Sequence, residues 1–284
     1  MFHRHASALV PTTIFVLLWS SGAIVSEIGL QYGSPLALLI TRYAIAFIAL
    51  SAFAIRNRQL LPTRGSRIRV AITGLLIAGL YSACYLLALD HGVTPGALAT
   101  LLGIQPILTI VLTEREVSLQ RLLGLAFAFG GLGLVAWDGI AGMRFGVAGL
   151  GFAALSLAGI TFGSILQKRE TQAPWVVLPL QYGVGLAFAS ILVAFLPLRA
   201  APVTGFILPA IWLGLVISVG ATFLLYRLIA GGNLVNVTSL FYLVPAVTSV
   251  MDWIILGNPM ESMSLIGLAL TILGLVFVFR QKRT

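Results

Sequence analysis

Ten long apolar runs follow one another along the chain, each bounded by a short cluster of charged residues, Gly or Pro. They cover approximately residues 9–30, 35–55, 69–89, 94–113, 119–137, 146–168, 175–196, 206–229, 235–256 and 264–280. A bilayer hydrocarbon core about 30 Å thick takes roughly 20 helical residues to cross, and each run is of that order. None alternates polar and apolar positions as a barrel strand would. Helices and closed barrels are the only structures that satisfy their backbone in lipid. The pattern therefore predicts an all-α membrane protein of ten transmembrane helices, numbered here as spans 1 to 10.

Composition agrees with the pattern. Hydrophobic residues make up 59% of the 284 positions and charged residues 9%, against roughly 25% charged in soluble domains. Ten spans and short loops use nearly the whole length, which leaves no room for a second, soluble domain. The weakly basic segment MFHRHASALV leads into span 1. Ser26, Glu27 and Ile28 continue that span without an A-x-A-like cleavage site, so a retained helix is expected rather than a signal peptide.

The net charge of +9 would suggest nucleic acid in a soluble protein, but here the cations sit in short loops. With the N-terminus inside, the inner set is Arg4, Arg56, Arg58, Arg64, Arg67, Arg69, Arg115, Arg121, Lys168, Arg169, Arg227, Arg280, Lys282 and Arg283. The outer set is Arg144 and Arg199, and Arg42 lies within span 2. This asymmetry predicts a multi-pass protein of a bacterial-type inner (cell) membrane with both termini cytoplasmic.

Enzymatic signatures are missing. There is no GxxxxGK[ST], HExxH or GxSxG motif, so neither a P-loop ATPase nor an intramembrane hydrolase is expected. Cys84 is the single cysteine, and two of the three histidines lie in the N-terminal tail. No metal site, cofactor or nucleic-acid partner is expected.

Spans 4–5 and 9–10 repeat one another. Pro106 in GIQPILTIV matches Pro245 in YLVPAVTSV, and upstream Gly92 matches Gly231. Gly124, Ala128 and Gly131 form a small-residue stripe in span 5, and Gly267, Thr271 and Gly274 form the same stripe in span 10. Such stripes let helices approach closely. Each repeat then holds five spans, residues 1–140 and 141–284. Five is odd, so the copies must cross the membrane in opposite directions. Inverted repeats are a recurring transporter architecture, with the substrate near the midplane at the repeat interface.

Several segments carry a family resemblance: LLWSSGAI at 17–24, LLITRYAIAF at 38–47, YLLALDHGVTPGALATLLGIQPIL at 85–108, ILQKR at 165–169, LGNP at 256–259 and LIGLALTILGL at 265–275. In this order and spacing the chain resembles the drug/metabolite transporter superfamily, in its ten-helix EamA-type branch, and loosely the YddG-like amino-acid exporters. The resemblance implies export of amino acids, other metabolites or drugs, with spans 3, 4, 8 and 9 around a central cavity. The chain departs from the pattern at Gln105, where an aromatic residue can precede the proline. It departs again at Gly257–Asn258, where family members often carry Gly-Glu.

Pro106 and Pro245 remove a backbone hydrogen bond and clash with the preceding turn. They are expected to kink spans 4 and 9 and to act as hinges of the gates, or as static kinks for packing. Trp19, Tyr81, Tyr85, Gln105, Phe162, Tyr226, Phe241 and Tyr242 lie deep in spans and are the candidate substrate-binding residues. Aromatic rings with a polar edge suit amphipathic solutes, although packing would use the same residues. Glu27 and Arg42 both approach the outer side, where they would form a bracing ion pair or an outer gate in which Arg42 recognises a carboxylate. Asp252 is the candidate proton carrier. Gly159 and Gly163 form a GxxxG that serves packing within the chain or a dimer; a monomer is expected. The expected function is secondary transport of a small-molecule substrate across the lipid bilayer, amino acids first. A cationic-drug exporter and a membrane scaffold or sensor without transport are the alternatives.

Overall fold

The computed structural model describes residues 2–59, 61–91, 93, 95–114, 117–135, 137, 146–256 and 262–279. At 2–9, 23, 27, 95–97, 99, 245, 249, 252, 253, 255, 256 and 264 only the backbone is described. All regular structure among these residues is helical. The uninterrupted helices are α1 (Phe2–Leu30), α2 (Pro35–Arg56), α5 (Leu119–Val135), α6 (Val147–Lys168), α7 (Pro174–Leu192) and α10 (Ser262–Phe279). Both α2 and α7 start on a proline in their first turn, where a missing N–H costs no helical bond.

The other four helices are interrupted. α3 (Arg67–Asp90) changes to π-helix over Leu75–Tyr81, and α8 (Thr204–Gly231) does so over Trp212–Ala221. α4 consists of Pro95–Leu102 and Gln105–Thr113, separated by a turn. α9 consists of Leu234–Ser239 and Leu243–Leu256, joined by a 3₁₀ turn over Leu240–Tyr242. Pro106 and Pro245 thus sit in the first turn of a new helix, where no bond to the preceding turn is required. The expected kinks are helix breaks.

The loops show how the two halves are oriented. At one end the Ser34 N–H donates to the Arg199 carbonyl (2.6 Å) and the Ala201 N–H to the Tyr32 carbonyl (2.8 Å). At the other, the Thr63 N–H donates to Gln172 Oε1 (2.9 Å) and Gln172 Nε2 to Ser66 Oγ (2.7 Å). The start of α2 therefore lies beside the end of α7, and the start of α7 beside the end of α2. The two helices are antiparallel, as an inverted repeat requires. The end that carries Arg56, Arg69, Arg121 and Lys168 is called the basic end below.

Small residues bring α5 and α10 into backbone contact. A methyl group added at Gly124 would lie 2.8 Å from the Gly274 carbonyl oxygen, and one at Gly131 would lie 2.6 Å from that of Gly267. The two stripes seen in the sequence face each other. Gly159 and Gly163 of α6 are occupied within the chain. A Cβ at Gly159 would lie 2.9 Å from Leu76 O, and Gly163 sits against the Ile77 side chain, both in the π segment of α3.

The bundle is inverted in polarity. Ile48, Val111, Phe195 and Ile254 are exposed, while Ser156, Ser164, Gln167, Gln181, Ser218, Thr222 and Thr271 are buried. Such a surface belongs in lipid, where polar side chains turn toward one another.

Candidate functional site

The repeats meet where α2 and α7 cross. Tyr43 is the ninth residue of α2 and Tyr182 the ninth of α7, roughly 12 Å along each helix and thus near mid-membrane. Their rings are 5.2 Å apart and cross at 73°, an edge-to-face contact. The Tyr43 hydroxyl lies 2.8 Å from the Ala78 carbonyl oxygen and 2.7 Å from Ser82 Oγ. The Tyr182 hydroxyl lies 3.1 Å from Thr222 Oγ1.

Arg42 adjoins this pair. Its Nε donates to Ser218 Oγ (3.2 Å) and its guanidinium lies 5.2 Å from the Tyr43 ring centroid. The side chains of Glu27, Asp252 and Pro245, and Gly92 altogether, lie outside the described residues. Among the described residues Arg42 has no carboxylate within ion-pair distance.

The substrate-binding candidates fall into separate groups. Trp19 and Phe241 are in contact (5.4 Å, 78°), and both touch Phe15. Ser20 Oγ donates to the Val244 carbonyl (3.2 Å) and fixes α1 to α9 beside this cluster. Tyr81 and Tyr85 pair along α3 (6.1 Å), as their spacing implied. Gln105 is buried, and its amide donates to Ser164 Oγ at 3.3 Å. Tyr226 is buried in the core and donates to Gln181 Oε1 (2.6 Å), while Gln181 Nε2 donates to Gln167 Oε1 (2.9 Å). Tyr242 is buried, and its hydroxyl has no partner among the described residues, nor has the buried Thr161 hydroxyl. Phe162 is 51% exposed and belongs to none of these groups. The two concavities described, about 330 Å³ beside Leu123, Phe127 and Phe277 and about 560 Å³ beside Pro62, Arg67 and Gln172, are lined by none of the candidates.

Three polar clusters tie the basic end together. Lys168 Nζ donates to the carbonyls of Ile229 (2.6 Å), Ala230 (3.2 Å) and Gly232, at the negative end of the α8 dipole. Arg121 is buried against Glu114 (2.6 Å) and donates to Asn233 (2.6 Å) and Asn236 (3.0 Å). Arg69 pairs with Glu170 at 2.9 Å. Burial alone would raise the Glu170 pKa, but hydrogen bonds from Gln172 and Arg69 outweigh it and hold the carboxyl below its ordinary value. A depressed carboxylate stabilises the fold above its unfolded pKa, and the contribution is lost as pH falls through the folded one. Glu170→Gln should therefore flatten the fall of melting temperature on acidification below the ordinary carboxylate range. An unchanged acid limb in a detergent melting series would refute this.

In the sequence Arg121 reads as a topology signal alone and Lys168 as one within the ILQKR segment, and nothing there gives Tyr43, Tyr182, Gln167 or Gln181 an individual role. Extending the repeat to its first half would have exposed the tyrosine pair: Tyr43 follows Pro35 at the same distance as Tyr182 follows Pro174.

Among the described residues, ten apolar helices in two inverted halves, four of them interrupted, with a charged and hydroxyl-rich layer between the halves, define a polytopic membrane protein of the transporter class. The profile of the EamA-like transporter family matches twice, over residues 8–137 and 140–280. The chain belongs to that family, within the drug/metabolite transporter superfamily, and is not an enzyme. It is also similar to a solved structure described only as the crystal structure of a protein, with a TM-score of 0.75 over 96% of each chain and 19% identity. That likeness is one of fold. No curated protein matches the chain.

Proposed function

We propose that the chain is a secondary transporter of a bacterial-type inner membrane that exports small amphipathic metabolites, amino acids foremost, by alternating access. Residues 1–140 and 141–284 would be its two repeats and the basic end its cytoplasmic face, in keeping with the positive-inside rule. One observation carries this reading: the four interrupted helices are α3, α4, α8 and α9, the four that the family resemblance sets around the cavity. Interrupted helices are where transporters bind substrate, because broken backbone at membrane depth must face a cavity or other protein.

Arg42 supports an anionic group on the substrate. A cation near mid-membrane without a described carboxylate partner suits a carboxylate, and the same charge disfavours a cationic drug. Trp19, Phe241 and the Tyr81–Tyr85 pair offer aromatic surface to an apolar side chain. The unpartnered hydroxyls of Tyr242 and Thr161 are in keeping with a polar solute or water inside.

The test is uptake of labelled amino acids into proteoliposomes, with and without a pH gradient. Wild type should show saturable uptake. Arg42→Gln should raise KM about tenfold or more, the range of a charged hydrogen bond, and Gln105→Ala and Tyr85→Ala should weaken uptake. A response to the pH gradient would establish proton coupling. Folded, inserted protein that takes up no amino acid would overturn the amino-acid assignment.

A further inference from the structure

The interruptions in α3 and α8 are held by matching devices. In α3 the first residue after the π segment is Ser82, and its hydroxyl donates to the Ile77 carbonyl (3.2 Å). In α8 the first residue after the π segment is Thr222, and its hydroxyl donates to the Ile217 carbonyl (3.1 Å). Each bond reaches five residues back, to a carbonyl of the wide π turn; at Ile217 the Thr222 N–H bonds the same oxygen, so the hydroxyl reinforces the π turn with a second bond. Each hydroxyl also meets a tyrosine from the preceding helix of its own repeat: Tyr43 on Ser82 (2.7 Å) and Tyr182 on Thr222 (3.1 Å). The two tyrosine rings touch one another. Packing repeats as well. Ile77 lies against Gly163 and Ile217 against Gly22, while Gly74 lies against the Gln181 backbone and Gly214 against the Arg42 carbonyl. A π bulge is frequent at functional sites and is one of the features that bend a helix.

We propose that Tyr43 and Tyr182 are paired positioning residues that clamp the π segments of α3 and α8 to a common pivot between the repeats, each setting one side of the balance between inward- and outward-facing states. The proposal rests on the alternating-access reading. Its distinctive content comes from symmetry. Exchanging two inverted repeats exchanges the inward- and outward-facing states. Loosening one clamp must therefore bias the balance one way, and loosening its mate must bias it the other way. A tyrosine that merely packs would lower stability in both variants without opposed bias.

The test uses nitroxide distance distributions in lipid nanodiscs. Cys84→Ala removes the only cysteine. The label pairs are His91→Cys with Leu198→Cys at one end and Gln59→Cys with Gly231→Cys at the basic end, all exposed positions related by the repeat. Each pair spans from the end of a hinged helix to the neighbouring end of α7 or α2. Tyr43→Phe should shift the two-state ratio about threefold or more, the size of one hydrogen bond, and Tyr182→Phe should shift it as far in the opposite direction. The double variant should return toward wild type. Ser82→Ala and Thr222→Val should reproduce the two opposed shifts, which guards against poor folding of a tyrosine variant. Two wild-type populations that both variants move alike, or leave unmoved, would overturn the clamp while leaving the carrier reading intact. A wild type with one population at both ends would overturn the two together.

Discussion

Gly131→Leu should leave little folded protein after extraction from the membrane. A Cβ at this position would already lie 2.5 Å from Thr271 Oγ1 and 2.6 Å from Gly267 O, and a leucine carries three further carbons into the same place. Neither obstacle is the far end of a flexible side chain. Gly267 O is backbone, and Thr271 Oγ1 is held by its bond to that carbonyl (2.8 Å). The helices must separate, and α5 would lose its closest packing along the stripe, where Gly274 lies against Ala128 and Gly124. Close backbone approach is what holds helices together in lipid, where no hydrophobic force separates helix from solvent. Overpacking typically costs about 1–3 kcal/mol, and displacing a whole helix should exceed that. Gly133→Leu is the control, since a Cβ there meets nothing within 4 Å and gains helix propensity. The measurement is the fraction of monodisperse protein and its melting temperature in detergent. Equal behaviour of the two variants would show that the α5–α10 contact is not the tight interface described.

Those stripes were legible because Gly and Pro announce backbone behaviour directly. Span limits were legible for a similar reason: the predicted 35–55 and 146–168 correspond to Pro35–Arg56 and Val147–Lys168, where Pro and Gly coincide with a change from polar to apolar. The prolines showed that α4 and α9 deviate, although a kink was expected where the helices break. The π segments left no such trace. LLIAGLY and WLGLVISVGA read like any apolar helix, because a π turn arises from what packs around it and not from a residue that demands it. Tyr43 and Tyr182 stayed hidden for the same reason. An aromatic residue in an apolar run announces burial, and only the partner across the bundle turns burial into a role. Arg121 was hidden by its charge. A basic residue at a span end is ordinarily solvated, and only folding brings Glu114, Asn233 and Asn236 around it.

That buried arginine carries the second large effect. Arg121 Nη1 lies 2.8 and 2.6 Å from the two Glu114 oxygens, and Nη2 donates to Asn233 Oδ1 and Asn236 Oδ1. Asn233 also caps the first segment of α9 by accepting from the Asn236 N–H (3.2 Å). One guanidinium thus fixes the α4–α5 corner to the start of α9. Arg121→Met keeps most of the stem but leaves Glu114 charged and without its cation, while the two asparagine oxygens lose a donor. Removing one partner of a fully buried pair costs about 3–5 kcal/mol, chiefly through the charge left behind; here Arg121 is buried but Glu114 keeps 20% of its side chain exposed, so water screens part of that charge. Arg121→Met should therefore lower stability by about 1–3 kcal/mol, read as a fall in denaturation midpoint. Glu114→Gln with Arg121→Met should recover part of that loss, since a neutral amide carries no uncompensated charge. The cycle separates the two causes. Recovery assigns the cost to the stranded carboxylate. A double variant no more stable than Arg121→Met alone assigns it instead to the lost grip on Asn233 and Asn236, and hence on the α9 start.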